Sequence, residues 1–113
     1  MKESPLLKRI WAACSVGQSR LWRNNCGSLQ DKNGRWVKFG VANPGGADLI
    51  GFKTVTVTPE MVGQKVAIFV ALEVKQKSGR IRPEQQVFID LVKLRGGIAA
   101  IVRSVEQAIN VLT

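Results

Sequence analysis

The stretch Val66 to Leu72 is apolar at every position and closes in Glu73-Val74-Lys75. A run of this kind reads as a strand from Val66 to Lys75, central in a sheet and covered on both faces. Covering both faces requires helices on either side, which points to an α/β architecture. Strand side chains alternate, so Glu73 and Lys75 project from the same side, about 7 Å apart along the chain.

The rest of the chain supplies the covering elements. Ser4-Pro5 signals a helix start, with Ser4 as cap and Pro5 in the first turn. Leu6, Leu7, Ile10, Ala13 and Cys14 recur at helical spacing, and Gly17 is the expected stop. Residues 18–34, rich in Arg, Asn, Asp and Gly, read as loop. Short strands are expected over Arg35–Phe39 and from Ala47 to about Val57, separated by a turn over Gly40–Gly46. Thr58-Pro59-Glu60 breaks the second strand, with room for one helical turn before Gly63. After a basic loop over Gln76–Arg82, Pro83 opens a helix to about Leu94, with Phe88, Leu91 and Val92 inward and Gly96-Gly97 ending it. Ile98–Val102 is a buried strand. Ser104 and Gln107 form a capping box for a last helix, whose apolar stripe is Val105, Ala108, Ile109 and Leu112. The expected order is α-β-β-β-α-β-α, and 113 residues bury one core, so a single domain over 1–113 is expected.

Charge narrows the partners. Lys and Arg total 17 against 8 acids, a net charge of +9. This balance points to nucleic acid or an anionic membrane surface. The longest apolar run is far too short to span a bilayer, and the N-terminus has no apolar stretch of secretion-signal length. A cytoplasmic protein is therefore expected, without a disulfide between Cys14 and Cys26. There is no histidine and no CxxC, which removes the usual zinc sites and histidine acid–base chemistry. A basic binder without chemistry remains one reading of the charge. Against it stand Asp48 and Glu73, scarce acids at the ends of apolar segments, where a buried carboxylate needs a partner.

Glu73 with a second carboxylate offers two oxygen ligands to a hard cation, and Lys75 adds an ammonium beside them. That set suits metal-assisted phosphodiester hydrolysis, in which the lysine steadies an attacking oxygen or developing charge. Asp48, from the residues alone, is equally a turn former after Gly45-Gly46 and a ligand. For Glu73 the alternative is an ion pair with Lys75, which i,i+2 spacing in a strand disfavours. Lys75 is either a solvated strand end, in a row with Lys77, Arg80 and Arg82, or catalytic. Gln85 shares the inward stripe of Phe88 and Val92, either as a helix-terminal hydrogen-bonding residue or as an orienting group for the site. Arg103 faces either a phosphate or Glu106. Lys77, Arg80 and Arg82 form a flexible basic loop expected to meet a nucleic-acid backbone, with Arg20, Arg23 and Lys38 as the alternative path. Trp11, Trp22 and Trp36 read as core or interface residues rather than base-stacking platforms. Gly45-Gly46 lacks the features of a phosphate-binding loop and reads as a tight turn that brings Asp48 toward the central strand.

Five blocks in order carry a family resemblance: Glu3, GGADLIG (Gly45–Gly51), ALEVK (Ala71–Lys75), PEQQVF (Pro83–Phe88) and GGIAAIVRS (Gly96–Ser104). Together they resemble the VRR-NUC domain, the virus-type replication-repair branch of the PD-(D/E)XK, restriction-endonuclease-like superfamily. The resemblance covers nearly the whole chain. It implies a mixed central sheet flanked by helices, in a stand-alone nuclease of phage or bacterial type. It implies Asp48, Glu73 and the Val74 carbonyl as ligands of Mg²⁺ or Mn²⁺, assisted by Glu3, with Lys75 and Gln85 completing the catalytic set. It further implies a homodimer that acts on branched DNA such as four-way (Holliday) junctions in DNA repair. Two other readings remain: a non-catalytic basic nucleic-acid-binding module, and a nuclease subunit of a larger repair complex.

Overall fold

Ser4 starts the first helix as expected: its hydroxyl accepts the Leu7 N–H at 3.0 Å, which caps α1 (Pro5–Cys14). The computed structural model describes residues 4–113, so Glu3 lies outside the described residues. The described chain has three α-helices and six strands, an α/β composition with both parallel and antiparallel pairing. It divides into two compact units, residues 1–53 and 54–113.

The first unit holds α1, β1 (Ser19–Arg23), β2 (Gly27–Gln30), β3 (Trp36–Phe39) and β4 (Leu49–Lys53). β1 pairs antiparallel with β4, and β2 with β3. The expectation of loop over 18–34 is therefore corrected, since β1 and most of a hairpin lie there. Arg and Asn outweigh the short apolar core of β1, but Leu21 and Trp22 find cross-strand partners in Gly51 and Ile50. Trp22 also meets Phe52, diagonal to it on the same face, at a ring separation of 5.7 Å. The inward face of α1 also differs from the expected stripe. Leu7 and Trp11, one turn apart, are half-buried, while Leu6 and Ile10 are exposed. The Trp11 Nε1–H donates to the Leu21 carbonyl at 2.9 Å, which ties helix to strand. Trp22 and Trp11 thus fit the structural role expected of them. Trp36, 70 % exposed, is not a core residue of this chain.

The second unit begins with one 3₁₀ turn at Pro59–Met61, the helical turn expected there. Hydrogen bonds from its own backbone N–H and from the Thr58 hydroxyl hold the Glu60 carboxyl below the usual carboxylate range. β5 (Val70–Val74) pairs in parallel with β6 (Ile98–Val102) through α2 (Pro83–Leu94), a βαβ unit. β5 is shorter than the apolar run that announced it, and Val66, Ile68 and Val74 are exposed rather than covered. The ladder sets that length. β6 starts only after Gly96-Gly97, so pairing begins with the Ile98 N–H on the Phe69 carbonyl at 2.9 Å. It ends with the Lys75 N–H on the Val102 carbonyl at 3.0 Å. The strands form three two-stranded ladders among the described residues, not one central sheet.

α2, β6 and α3 (Val105–Leu112) match their expected bounds. Ile89, Val92, Ala99 and Val102 form the most buried apolar set. Gly97 lets β6 start against α2, because a Cβ there would stand 2.7 Å from Val92 Cγ1. Ser104 caps α3 by accepting the Gln107 N–H at 3.1 Å. The reciprocal arm of the expected box lands one residue earlier, with Gln107 Oε1 accepting the Arg103 N–H at 2.6 Å.

Candidate active site

Asp48 sits immediately before β4, at the end of the 40–48 connection. A buried asparagine, Asn24, builds that connection. Its Nδ2 donates to the carbonyls of Val41 and Ala47, each at 3.0 Å, and its Oδ1 accepts the Val41 N–H at 2.9 Å. Its backbone N–H donates to the Asp48 carbonyl at 2.8 Å. Asn43 closes the other end, its Nδ2 donating to the Gly27 and Phe39 carbonyls at 2.8 Å each. Gly46 is required by the tightness of the turn, because an added Cβ would collide with the Val41 carbonyl oxygen. The tight turn expected at Gly45-Gly46 is thus present, and it fixes the backbone from which Asp48 projects.

Arg23 flanks this acid. Its Nη1 donates to the carbonyls of Asn24 and Asp48 at 2.9 and 3.2 Å and stands 3.8 Å from Asp48 Oδ1. The Arg23 side chain is 8 % exposed, whereas that of Asp48 is 79 % exposed. A desolvated carboxylate was expected at Asp48, but its side chain is open to solvent. Arg20 is half-buried in β1 and Lys38 exposed in β3.

No signal in the sequence marks Asn24, whose side-chain partners lie 17 and 23 residues away. Its amide uses both donors and its acceptor inside the unit, at 6 % exposure. Asn24→Ala would leave two carbonyls and one N–H without their buried partner. Such a change costs about 2 kcal/mol. Urea denaturation should show that loss, and Asn24→Asp should cost at least as much, because a carboxylate without donors would face two carbonyls. A midpoint for Asn24→Ala equal to wild type would disprove this account of the turn.

In the second unit, Glu73 and Lys75 lie on the face of β5 that shares its register with Ala99 and Ile101. The structure corrects the expectation that strand spacing keeps them apart. Lys75 Nζ stands 3.7 Å from Glu73 Oε2, with the side chains 17 % and 32 % exposed. The four-carbon lysine stem bends back over the strand and closes the gap that Cα spacing alone would leave. The Val74 carbonyl has a different setting. Odd-numbered residues of β5 direct their backbone groups at β6, as the bonds of Phe69 and Lys75 establish. In a parallel ladder the intervening residue turns its carbonyl the other way, so that of Val74 points away from β6.

The groups around this pair are tied down. Gln85 is half-buried in the first turn of α2, where its Oε1 accepts the Arg82 N–H at 3.0 Å. This is the helix-terminal bond foreseen as one of its two roles, and it leaves Nε2 as the donor group of that amide. Arg103 turns to backbone carbonyls rather than to Glu106, one of its two expected partners. Its Nη1 donates to the carbonyls of Gln76, Lys77 and Gly79, at 2.7, 3.3 and 3.0 Å. The loop after β5, expected to be flexible, is therefore held by a guanidinium, and the Gly79 N–H adds a turn bond to Gln76 at 2.9 Å. Lys77, Arg80 and Arg82 flank that held turn, and Arg82 Nε lies 3.6 Å from Glu84 Oε1.

The structure thus brings Glu73 and Lys75 together, and separately Asp48, Arg23 and Asn24. Among the described residues no group of three or more carboxylate or thiol side chains gathers at one point. The donors these residues offer are all oxygens: two carboxylates and one carbonyl turned off its ladder. Oxygen donors of this kind suit a hard divalent cation; Asp48 belongs to the first unit, and Glu73 and Val74 to the second. No curated protein and no solved structure matches the chain. The family model of the VRR-NUC domain matches it over residues 8–106, nearly its whole length. With that match lying over both the Asp48 turn and the Glu73–Lys75 strand, the chain belongs to the VRR-NUC family and is a nuclease-type domain.

Proposed function

We propose that this chain is a Mg²⁺- or Mn²⁺-dependent endonuclease that cuts branched DNA, such as four-way junctions, as a homodimer working as a single domain. The observation that carries the reading is the Glu73–Lys75 pair on one face of β5, inside a family match that also includes Asp48. Asp48, Glu73 and the Val74 carbonyl would hold the cation. When bound, it supplies charge neutralisation at the scissile phosphate and a lowered pKa for the attacking water. Lys75, beside the Glu73 carboxylate, would hold that water as an ammonium or, after releasing its own proton to solvent, take up the proton of the water. Gln85, with Oε1 engaged at the helix start, has Nε2 available to orient Lys75 or the water. Glu3 would assist at the cation. Two-fold symmetry suits a junction, which offers two equivalent strands to cut.

Labelled linear, flapped and four-way DNAs, incubated with the purified chain and Mg²⁺, test this directly. Cleavage concentrated at the branch of the four-way or flapped substrate is the expected result. Binding to all of them without cleavage of any would favour a non-catalytic module. Cleavage that appears only after addition of a cell extract would favour a subunit of a larger repair complex.

DNA is expected to run along Lys77, Arg80 and Arg82, with Arg103 holding the loop that carries them and Arg20 of β1 as a further contact; the Arg23 side chain, bonded to the Asn24 and Asp48 carbonyls, holds the Asp48 turn. Neutralising the three loop residues together should weaken binding to linear and four-way DNA by similar factors. The slope of log affinity against log salt should fall by about 0.9 for each phosphate that the variant no longer neutralises. Unchanged affinity and slope in a salt series would place the DNA path elsewhere, toward Arg20 and Lys38.

A further inference from the structure

The hairpin of β2 and β3 carries a surface that the cleavage site does not use. Its register pairs Gln30 with Trp36 and Ser28 with Lys38, so these four residues share one face. Directly paired residues alternate faces along the ladder, which places Leu29 and Val37 on the other. Trp36 is 70 % exposed on the first face. A tryptophan left in water forgoes the burial that normally stabilises it, and its large π-face is free to stack. Lys32 and Arg35 lie at the tip and Lys38 on the Trp36 face, against a single acid, Asp31.

That acid has an internal task. Asp31 Oδ1 accepts the N–H groups of Asn33 and Arg35, each at 2.9 Å. The Asp31 N–H donates to the Arg35 carbonyl at 2.8 Å, and Gln30 Nε2 donates to the Gly34 carbonyl at 3.1 Å. The tip is thus a locked turn, and the backbone that carries the exposed cations and the indole is held in one shape. Cations track a phosphate backbone, while an aromatic plane stacks on a base that has left its pair. A two-stranded ribbon also has the width to enter a DNA groove.

We propose that the β2–β3 hairpin is a second DNA-contacting element, in which Trp36 stacks on an unpaired base at a branch point and Lys32, Arg35 and Lys38 hold the flanking phosphates. This rests on the reading of the chain as a DNA nuclease. It assigns the hairpin a task distinct from cleavage: the recognition of unpaired bases.

The test is binding of wild type, Trp36→Ala and Trp36→Phe to a splayed fork with unpaired arms and to a fully paired duplex of equal length. Ca²⁺ replaces Mg²⁺ so that the DNA stays intact. Trp36→Ala should weaken fork binding roughly tenfold, as expected when one base–aromatic stack is removed, and change duplex binding less than about twofold. Trp36→Phe should recover most of the fork affinity. The salt slope should stay at the wild-type value, because no cation is removed. Equal losses on fork and duplex, or no loss on either, would overturn the assignment while leaving the nuclease reading intact. A change of mass in sedimentation for Trp36→Ala, with fork affinity retained, would also overturn it and would make this face a contact between two copies. A wild type that binds neither DNA would remove both readings together.

Discussion

Glu73→Gln should yield a folded protein that binds DNA yet cleaves it roughly a hundredfold or more slowly, a loss of about 3 kcal/mol of transition-state stabilisation. The substitution keeps the shape of the side chain and removes its charge, so a cation loses a ligand that a carboxamide replaces poorly. It also releases Lys75 from its partner at 3.7 Å. Both side chains are partly exposed, so the stability change should stay near 1 kcal/mol. Asp48→Asn and Lys75→Ala should slow cleavage to a similar extent. Asp48 projects from a turn held by Asn24, and its own side chain is mostly in solvent, so Asp48→Asn should leave the unfolding midpoint almost unmoved. DNA binding without metal should be kept or tightened by either carboxylate change, since each removes a negative charge that repels phosphate. Residues that act as one unit are not additive. The Asp48→Asn, Glu73→Gln double variant should therefore be little slower than either single one. Single-turnover cleavage of a four-way DNA, with circular dichroism to verify folding, decides the matter. Normal cleavage by folded Glu73→Gln would remove Glu73 from the site.

What the sequence reveals depends on how local its signals are. α2, β6 and α3 are legible nearly to the residue because Pro83, Gly96-Gly97 and Ser104 mark their ends within a few positions of the chain. The Glu73–Lys75 strand is legible as a strand, but its start is not. The apolar run extends back to Val66, whereas the ladder waits for Ile98. β1 is hidden by the polar residues around it and becomes a strand only through β4, whose pairing residues lie far along the chain. Asn24 is the sharpest case. An asparagine among arginines and asparagines reads as loop, and only the folded turn makes it a buried clamp. Arg103 shows the same limit on a smaller scale. Its two sequence-level partners, phosphate and Glu106, are both ordinary for an arginine at a strand end, while three converging carbonyls 24–27 residues away are not foreseeable from spacing.

Removal of divalent cations should lower the cleavage rate by orders of magnitude, and the choice of cation that restores it should follow the donor set. The candidate ligands are oxygens only, and the chain contains no histidine to favour zinc or copper. Mg²⁺ and Mn²⁺ share a preference for six oxygen donors, several of them water, so two carboxylates and one carbonyl suffice to seat them. Ca²⁺ accepts the same donors in a looser and larger shell, so it should allow DNA binding while supporting cleavage poorly. Lewis-acid stabilisation of the scissile phosphate contributes several kcal/mol, so chelation by EDTA should lower the rate by about three orders of magnitude or more. The ammonium of Lys75 cannot substitute for the cation. It is one charge on a flexible stem, 3.7 Å from the acid it neutralises, and it has no open coordination position for water. Cleavage of a labelled four-way DNA would be followed in EDTA, then after addition of Mg²⁺, Mn²⁺, Ca²⁺ or Zn²⁺. Restoration by the first two, with Ca²⁺ permitting a shifted band but little product, is the expected pattern. Undiminished cleavage in EDTA would mean that Glu73 and Asp48 do not work through a cation, and the proposed mechanism would fall with them.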